Sequence, residues 1–407
     1  MELRLFSEYG TLQAVITHRP GHEIERLTPY NTSELLFEDV PYLEVMQREH
    51  DEFTELIRRS TGGVVLRFHD LLVEVLLDEA LRLQVLRDAL QACGLSHRAE
   101  DILPRYSTTE VASMLMAGIR MVELVKKYRP PESGNFRDSD YLIAPSPNLY
   151  FMRDPAAVIQ GGVICSSMKF SGRQRESKLL KLIFSHHPLF RDHFRQVYPP
   201  DWINGEIPTI EGGDVVVLTP HSLAIGCSER TEKAAIEALA QNIFSLGWVE
   251  RIYEVDLPPK RNFMHLDTVF TIIDENLVVT YPDAMNSVLK TSVYRSEGTG
   301  PDGGARWHME EINESIITVL KREISYLEVI ETGDGNPDYS SREQWYDGAN
   351  VLAIAPRRVI SYDRNKFTNR ALREAGVEVL ETSSSELSRG LGGPRCMTMP
   401  LSRRSFG

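Results

Sequence analysis

Apolar residues in this chain fall mostly into short runs bounded by Gly, Pro, Asn or Asp, and four pairs of such runs read as hairpins. Ala156–Val158 and Val163–Cys165 meet at Gln160-Gly161-Gly162, and Val215–Leu218 and Leu223–Gly226 at Thr219-Pro220-His221. Val269–Ile273 and Leu277–Tyr281 meet at Asp274-Glu275-Asn276, and Val351–Ala355 and Val359–Tyr362 at Pro356-Arg357-Arg358. A helical stretch follows each, near 176–187, 231–246, 309–322 and 366–375, and further strands follow at 247–253 and 376–380. The amino-terminal part has the same rhythm. A strand over 10–18 leads to a helix over 41–59, with Leu43, Met46, His50, Phe53 and Ile57 on one face, and then to a strand over 64–68. About five ββαβ-like units predict an α/β fold with five-fold pseudosymmetry, closed radially as an α/β-propeller.

One stretch breaks the rhythm. Leu71–Ala92 is rich in Leu, Ala, Arg and Glu, Gly94 suits a helix end, and Ser107-Thr108-Thr109-Glu110 is a capping-box pattern. Arg129-Pro130-Pro131 ends the stretch. The predicted division is a catalytic body of residues 1–69 and 135–407 around an all-helical insert, 70–134. The Gly-rich stretch Ser296–Gly304 reads as a loop.

Composition narrows the partners. The net charge of −13 argues against nucleic acid and anionic membrane, and is compatible with a cationic small substrate. No apolar run reaches membrane-spanning length, and no apolar h-region follows Met1. The four cysteines lie far apart with no Cys-x-x-Cys pair, which fits a reducing cytoplasm and speaks against a zinc or disulfide framework.

The polar clusters share one structural position, just before the first strand of a hairpin. They are Asn148-Leu149-Tyr150-Phe151-Met152-Arg153-Asp154-Pro155, Glu211-Gly212-Gly213-Asp214, His265-Leu266-Asp267-Thr268 and Trp345-Tyr346-Asp347-Gly348-Ala349-Asn350. Radial closure would bring them together. Near the carboxyl end, Gly392-Gly393-Pro394 makes a sharp turn that presents Cys396 in a set position. Singly, each has an ordinary structural explanation: a small buried hydrophobe, a core histidine, an ion pair. Their shared position argues for one site.

Cys, His, Glu and a pair of Asp suit attack on a guanidinium. Its N–H groups form a fork that carboxylates accept, so Asp154 and Asp267 could grip it and orient its central carbon. That carbon is a poor electrophile, which calls for a thiolate, Cys396. His265 can protonate departing ammonia and then activate water, with Glu211 orienting it. An acidic site raises a thiol pKa, so a neutral resting thiol is expected.

These residues resemble the arginine deiminases of the guanidine-modifying superfamily, which have the pentein fold. The resemblance covers nearly the whole chain: Ser7-Glu8-Tyr9-Gly10, Leu35-Leu36-Phe37-Glu38-Asp39, Phe151-Met152-Arg153-Asp154, the clusters at 211–214 and 265–268, Arg342-Glu343-Gln344-Trp345, Tyr362-Asp363-Arg364-Asn365 and the Cys396 loop. It implies hydrolysis of L-arginine to L-citrulline and ammonia without metal or organic cofactor, in a homo-oligomer. It matches Cys396 to the nucleophile, His265 to the acid/base, Glu211 to its partner, and Asp154 and Asp267 to the guanidinium-binding pair. Asn148, Phe151, Arg173 and Arg230 match positions that meet the substrate's α-carboxylate and α-amino end, with Leu36 on a contributing loop, and Asp214 is grouped with them. The helical stretch is similar to the domain that sets deiminases of free arginine apart. One position departs: where some members carry an arginine five residues before the nucleophile, this chain has Leu391, so either Arg173 and Arg230 suffice to hold a carboxylate, or Arg389 reaches in, or the substrate range differs. The alternatives are a related reaction on agmatine or methylarginine, amidino transfer, and a non-catalytic arginine-binding relative.

Overall fold

A computed structural model of the chain describes residues 1–203, 205–287, 290–300 and 304–404. It is a mixed α/β structure in which one pattern occurs five times: an antiparallel strand pair, a helix, and a third strand parallel to the second. Ala156–Ile159 pairs with Gly162–Cys165, and the helix Gln174–His186 returns the chain to Gln196–Tyr198. Val215–Thr219, Ser222–Cys227, the helix Lys233–Ser245 and Arg251–Asp256 repeat it. So do Phe270–Asp274, Leu277–Thr280, Ile316–Glu323 and Glu328–Glu331, and then Leu352–Ala355, Arg358–Tyr362, Lys366–Glu374 and Glu378–Thr382. The hairpin strands are buried almost throughout, which is why they read as continuous apolar runs instead of alternating ones.

The remaining unit joins the two ends of the chain. Leu12–Thr17 pairs antiparallel with Met399–Arg403 and parallel with Val64–Arg67, beyond the helix Leu43–Thr61. The Cys396 loop therefore also precedes the first strand of a unit, as the other four clusters do.

Four expectations change. The stretch near 309–322 is helical only over Ile316–Glu323. Ala305–Ile312 is instead a strand antiparallel to Thr291–Thr299, and this long hairpin extends the sheet of Val215–Thr219, Ser222–Cys227 and Arg251–Asp256 to five strands. The expected loop 296–304 lies partly in that hairpin and partly, at 301–303, outside the described residues. The helix expected over Leu71–Ala92 is two, Phe68–Val75 and Glu79–Ala89. The Asp78 carboxylate accepts from the Ala80 and Leu81 amides at 2.9 and 3.1 Å and starts the second. The helical stretch also contains a short strand, Ile119–Arg120, paired with Tyr141–Ile143. The capping box at Ser107 forms as expected. Among the described residues no helix is long and apolar enough to cross a membrane.

Candidate active site

Cys396, His265, Asp154, Asn148, Phe151, Arg173, Arg230 and Leu36 line one cavity, with Gly390, Leu391, Met264, Thr268 and Arg261 completing its wall. Glu211 and Asp267 are fully buried directly behind it. The space is about 10 Å³, room for roughly one water molecule. Two predicted residues stand apart from the wall. Asp214 is buried beneath it, its oxygens taken by the Ser228 and Thr231 hydroxyls, both at 2.7 Å, and by the Leu266 amide at 2.8 Å. Arg389 turns outward to Asp39 and Glu386.

The thiol is pinned from three neighbouring loops. The Cys396 amide donates to Asn350 Oδ1 at 2.9 Å, and the Cys396 carbonyl accepts from the Arg153 amide at 3.0 Å. Asn350 Nδ2 donates to the Asp267 carbonyl at 2.9 Å, and the Tyr362 hydroxyl to the Gly392 carbonyl at 2.8 Å. A Cβ on Gly392 would overlap the Phe151 ring, so only glycine lets this loop lie on it. Sγ lies 3.6 Å from Asp267 Oδ2. Burial, then the charges of Asp267, Asp154 and Asp347, push the thiol well above its ordinary value, against the opposing pull of Arg395. A neutral resting thiol follows.

His265 Nε2 lies 2.8 Å from Glu211 Oε2, and Nδ1 lies 3.6 Å from Asp154 Oδ1. Burial disfavours the imidazolium, but Asp154, the Glu211 hydrogen bond and Asp214 outweigh it and carry His265 up to about 9. Burial pushes Glu211 up, but His265, Arg230 and Arg173 hold it down at about 2. The dyad is an ion pair at neutral pH. Gly213 makes room for it: a Cβ there would lie 2.6 Å from His265 Nδ1.

Each of the two aspartates already holds one guanidinium of the protein. Arg173 Nη1 donates to Asp154 Oδ2 at 2.8 Å, and Arg395 Nη1 donates to Asp267 Oδ2. The other oxygens, Asp154 Oδ1 and Asp267 Oδ1, are buried without a hydrogen-bond partner among the described residues. Arg173 is backed by Glu176, which burial raises to about 7 despite that contact. Arg230 Nη1 lies 3.4 Å from Glu211 and its guanidinium 4.5 Å from the Phe170 ring centre. Leu36 and Leu391 face the cavity with φ of 61° and 59°, and the Leu36 carbonyl accepts from Arg261 Nη2 at 2.7 Å.

Asp154, Glu211 and His265 offer three ligand atoms within 4.8 Å of one another. The set does not suit a metal ion, because Arg173 and Arg230 already supply positive charge to the same carboxylates. A larger cleft, about 680 Å³, lies between the helical stretch and the segment around His18. It holds neither the thiol nor the unpartnered aspartate oxygens.

Asn350, Arg261 and Arg395 were not among the predicted site residues. Arg395 and Asn350 stand inside motifs that the sequence makes conspicuous, so position alone could have flagged them; Arg261 has no such signal.

Nearly the whole chain is similar to known proteins. The model of the arginine deiminase family matches residues 33–403. An arginine deiminase of Oenococcus oeni is 39% identical over 409 residues, covering 98% of this chain and 97% of its own. One from Listeria monocytogenes serotype 4a is 39% identical over 419 residues, covering 99% and 98%. Among solved structures, the product-bound N-terminal domain of ArgZ, a cyanobacterial arginine dihydrolase, aligns with TM-score 0.55 at 14% identity over 96% of this chain and 97% of its own. A dimethylarginine dimethylaminohydrolase adduct with S-methyl-L-thiocitrulline aligns with TM-score 0.52 at 14% identity, over 95% and 99%. These two share the fold. With the family model spanning nearly all of it, and relatives matching from end to end, the chain belongs to the arginine deiminase family.

Proposed function

We propose that this protein hydrolyses L-arginine to L-citrulline and ammonia through a thiouronium on Cys396. The observation that carries the reading is the pair of buried oxygens, Asp154 Oδ1 and Asp267 Oδ1, that have no hydrogen-bond donor among the described residues. A buried acceptor without a donor costs about 1–3 kcal/mol. A planar cation with forked N–H groups relieves both at once and places its carbon against the sulfur.

Arrival of that cation favours the thiolate, and the thiol proton leaves to solvent. Sulfur adds to the guanidinium carbon, and the C=N electron pair moves onto nitrogen. The His265 imidazolium gives its proton to one nitrogen, ammonia leaves, and a cationic thiouronium remains on sulfur. Neutral His265 then takes a proton from water as hydroxide adds. Collapse breaks the C–S bond, the hydroxyl proton passes to the departing sulfur, and citrulline and the neutral resting thiol remain. Arg173 and Arg230 meet the substrate carboxylate, with Asn148 at the amino end and Phe151 along the chain. The cavity is too small for arginine as it stands, so the Leu36 and Leu391 loops open to admit it.

The five units close radially as a propeller. In support, first strands of neighbouring units touch: Met399–Arg403 with Ala156–Ile159, Val215–Thr219 with Phe270–Asp274, and Phe270–Asp274 with Leu352–Ala355. Residues 70–134 form a helical insert in a body made of 1–69 and 135–407, and the working protein is a cytoplasmic homo-oligomer. Assaying citrulline and ammonia from arginine, agmatine and methylarginine tests the reading. Arginine is expected as the preferred substrate, and turnover of agmatine alone would overturn the assignment.

A further inference from the structure

The proposed reaction leaves a buried ion network without a role. Arg395 is 1% exposed and does not line the cavity. Its Nη1 donates to Asp267 Oδ2. Its Nη2 donates to Glu8 Oε1 at 3.1 Å and to the Val215 carbonyl at 3.0 Å. Glu8, from the amino-terminal segment, also accepts from Arg153 Nη1 at 3.4 Å. Asp267 Oδ2 thus lies between the Arg395 guanidinium and the Cys396 sulfur at 3.6 Å, and only Oδ1 is left unpartnered.

We infer that Arg395, held from behind by Glu8, is a positioning residue for the thiol chemistry. It locks the Asp267 carboxylate so that Oδ1 alone is offered to the guanidinium, and it neutralises the oxygen that lies against the sulfur. This inference rests on the proposed role of Cys396. The forked guanidinium is what the task needs, since one planar group spans two carboxylates where an ammonium is a single point charge. Glu8 is a fixed anchor: burial pushes it up, but Arg153, Arg395 and Arg403 hold it at about 2, so it stays charged throughout the working range. The titratable and charged groups around the sulfur are Asp267, Asp154, Asp347, Arg395, Arg153, His265 and the phenols of Tyr150 and Tyr362. Arg395 is the cation in contact with the carboxylate nearest the sulfur.

The test is the pH dependence of Cys396 alkylation by iodoacetamide, a neutral probe of the thiolate, read by peptide mass spectrometry beside citrulline kinetics on the full chain. In Arg395→Gln the alkylation midpoint is expected to rise by about one to three pH units, the range for loss of a close opposite charge, with kcat down on the order of a hundredfold. Arg395→Lys should restore most of the midpoint, because the charge returns, but should stay roughly tenfold slow, because one ammonium cannot bridge Glu8 and Asp267. If Arg395→Gln does not fold, Glu8→Gln/Arg395→Gln removes the buried charges as a pair and carries the same measurement. An unchanged midpoint in any folded charge-removing variant overturns the inference. So does full kcat in Arg395→Lys, or failure of all three variants to fold, which would make the pair scaffold. Cys396→Ala separates the two readings: if it still forms citrulline, the thiol assignment fails, whatever Arg395 does.

Discussion

Arg173 Nη1 lies 2.8 Å from Asp154 Oδ2, so one of the protein's own guanidinium groups occupies a carboxylate assigned to the substrate's guanidinium. The proposed mechanism also gives Arg173 the substrate's carboxylate, at the opposite end of the molecule. Arg173 must then redistribute its contacts as arginine binds, with Glu176 holding its other arm at 2.9 Å.

Arg173→Gln removes that grip. A charge-assisted hydrogen bond is worth about 1.5–3 kcal/mol, so KM for arginine should rise on the order of ten- to a hundredfold. Agmatine, which lacks the carboxylate, should be far less affected. Steady-state kinetics with both substrates check this, and equal losses for the two would mark Arg173 as scaffold alone.

The Glu211–His265 pair sets the alkaline limit. His265 is raised to about 9, so the imidazolium, and the stability it contributes, is fully present below the ordinary value near 6.5 and is lost as pH rises through about 9. The acid that protonates ammonia disappears over the same window. The pH profile of kcat/KM should fall near 9, and Glu211→Gln should bring that limb down by about one unit or more. A limb that stays in place in this variant would belong to another group.

Gly213→Ala tests how tightly the imidazole is placed. The new Cβ would lie 2.6 Å from His265 Nδ1 and 2.9 Å from Asp154 Oδ1, so the ring must move. Displacements near 1 Å cost on the order of a hundredfold in rate. A kcat loss of that size is expected, while Cys396 still alkylates. Full activity would show that the ring has slack.

Asp347 bears on stability. Burial, then the charge of Asp267, push its carboxyl well above the ordinary range. A raised carboxyl contributes stability that is fully present below the unfolded value, near 3.9, and lost as pH rises through the folded one. Asp347→Asn has no proton to lose, so at pH 8 it should be more stable than the native chain by about 1 kcal/mol or more, since one unit of pKa is worth roughly 1.4 kcal/mol. The gain should shrink towards pH 4. Urea unfolding at the two pH values measures it, and a destabilised variant at pH 8 would show that Asp347 is charged and compensated.

The hairpins were legible because buried β-branched runs and tight turns are local signals, as at Gln160-Gly161-Gly162. Local signals also explain the misreadings. Met309-Glu310-Glu311 reads as the start of a helix, but backbone pairing with Thr291–Thr299 makes it part of a strand. Asp78 is an N-cap in mid-run, visible in the sequence but outvoted by the helix formers around it. Cys396, His265 and Asp154 come together in the structure because equivalent loops share one place in their units. The motif around Arg395 marks its position, but its role depends on Glu8, far away in the sequence, and no spacing encodes that contact. Arg389 and Asp214 show the converse: proximity to a motif does not say which way a side chain turns.

The pairing of Leu12–Thr17 with Met399–Arg403 has a consequence for how the protein is made. Translation produces Leu12–Thr17 long before its partner Met399–Arg403. A nascent chain stalled before Cys396 would carry Asp154, Glu211, His265 and Asp267 but no sulfur, with Leu12–Thr17 exposed along one edge. Catalytic competence therefore waits on the segment that carries Cys396, and a product truncated before it would hold the acid, the base and the grip, yet remain chemically silent.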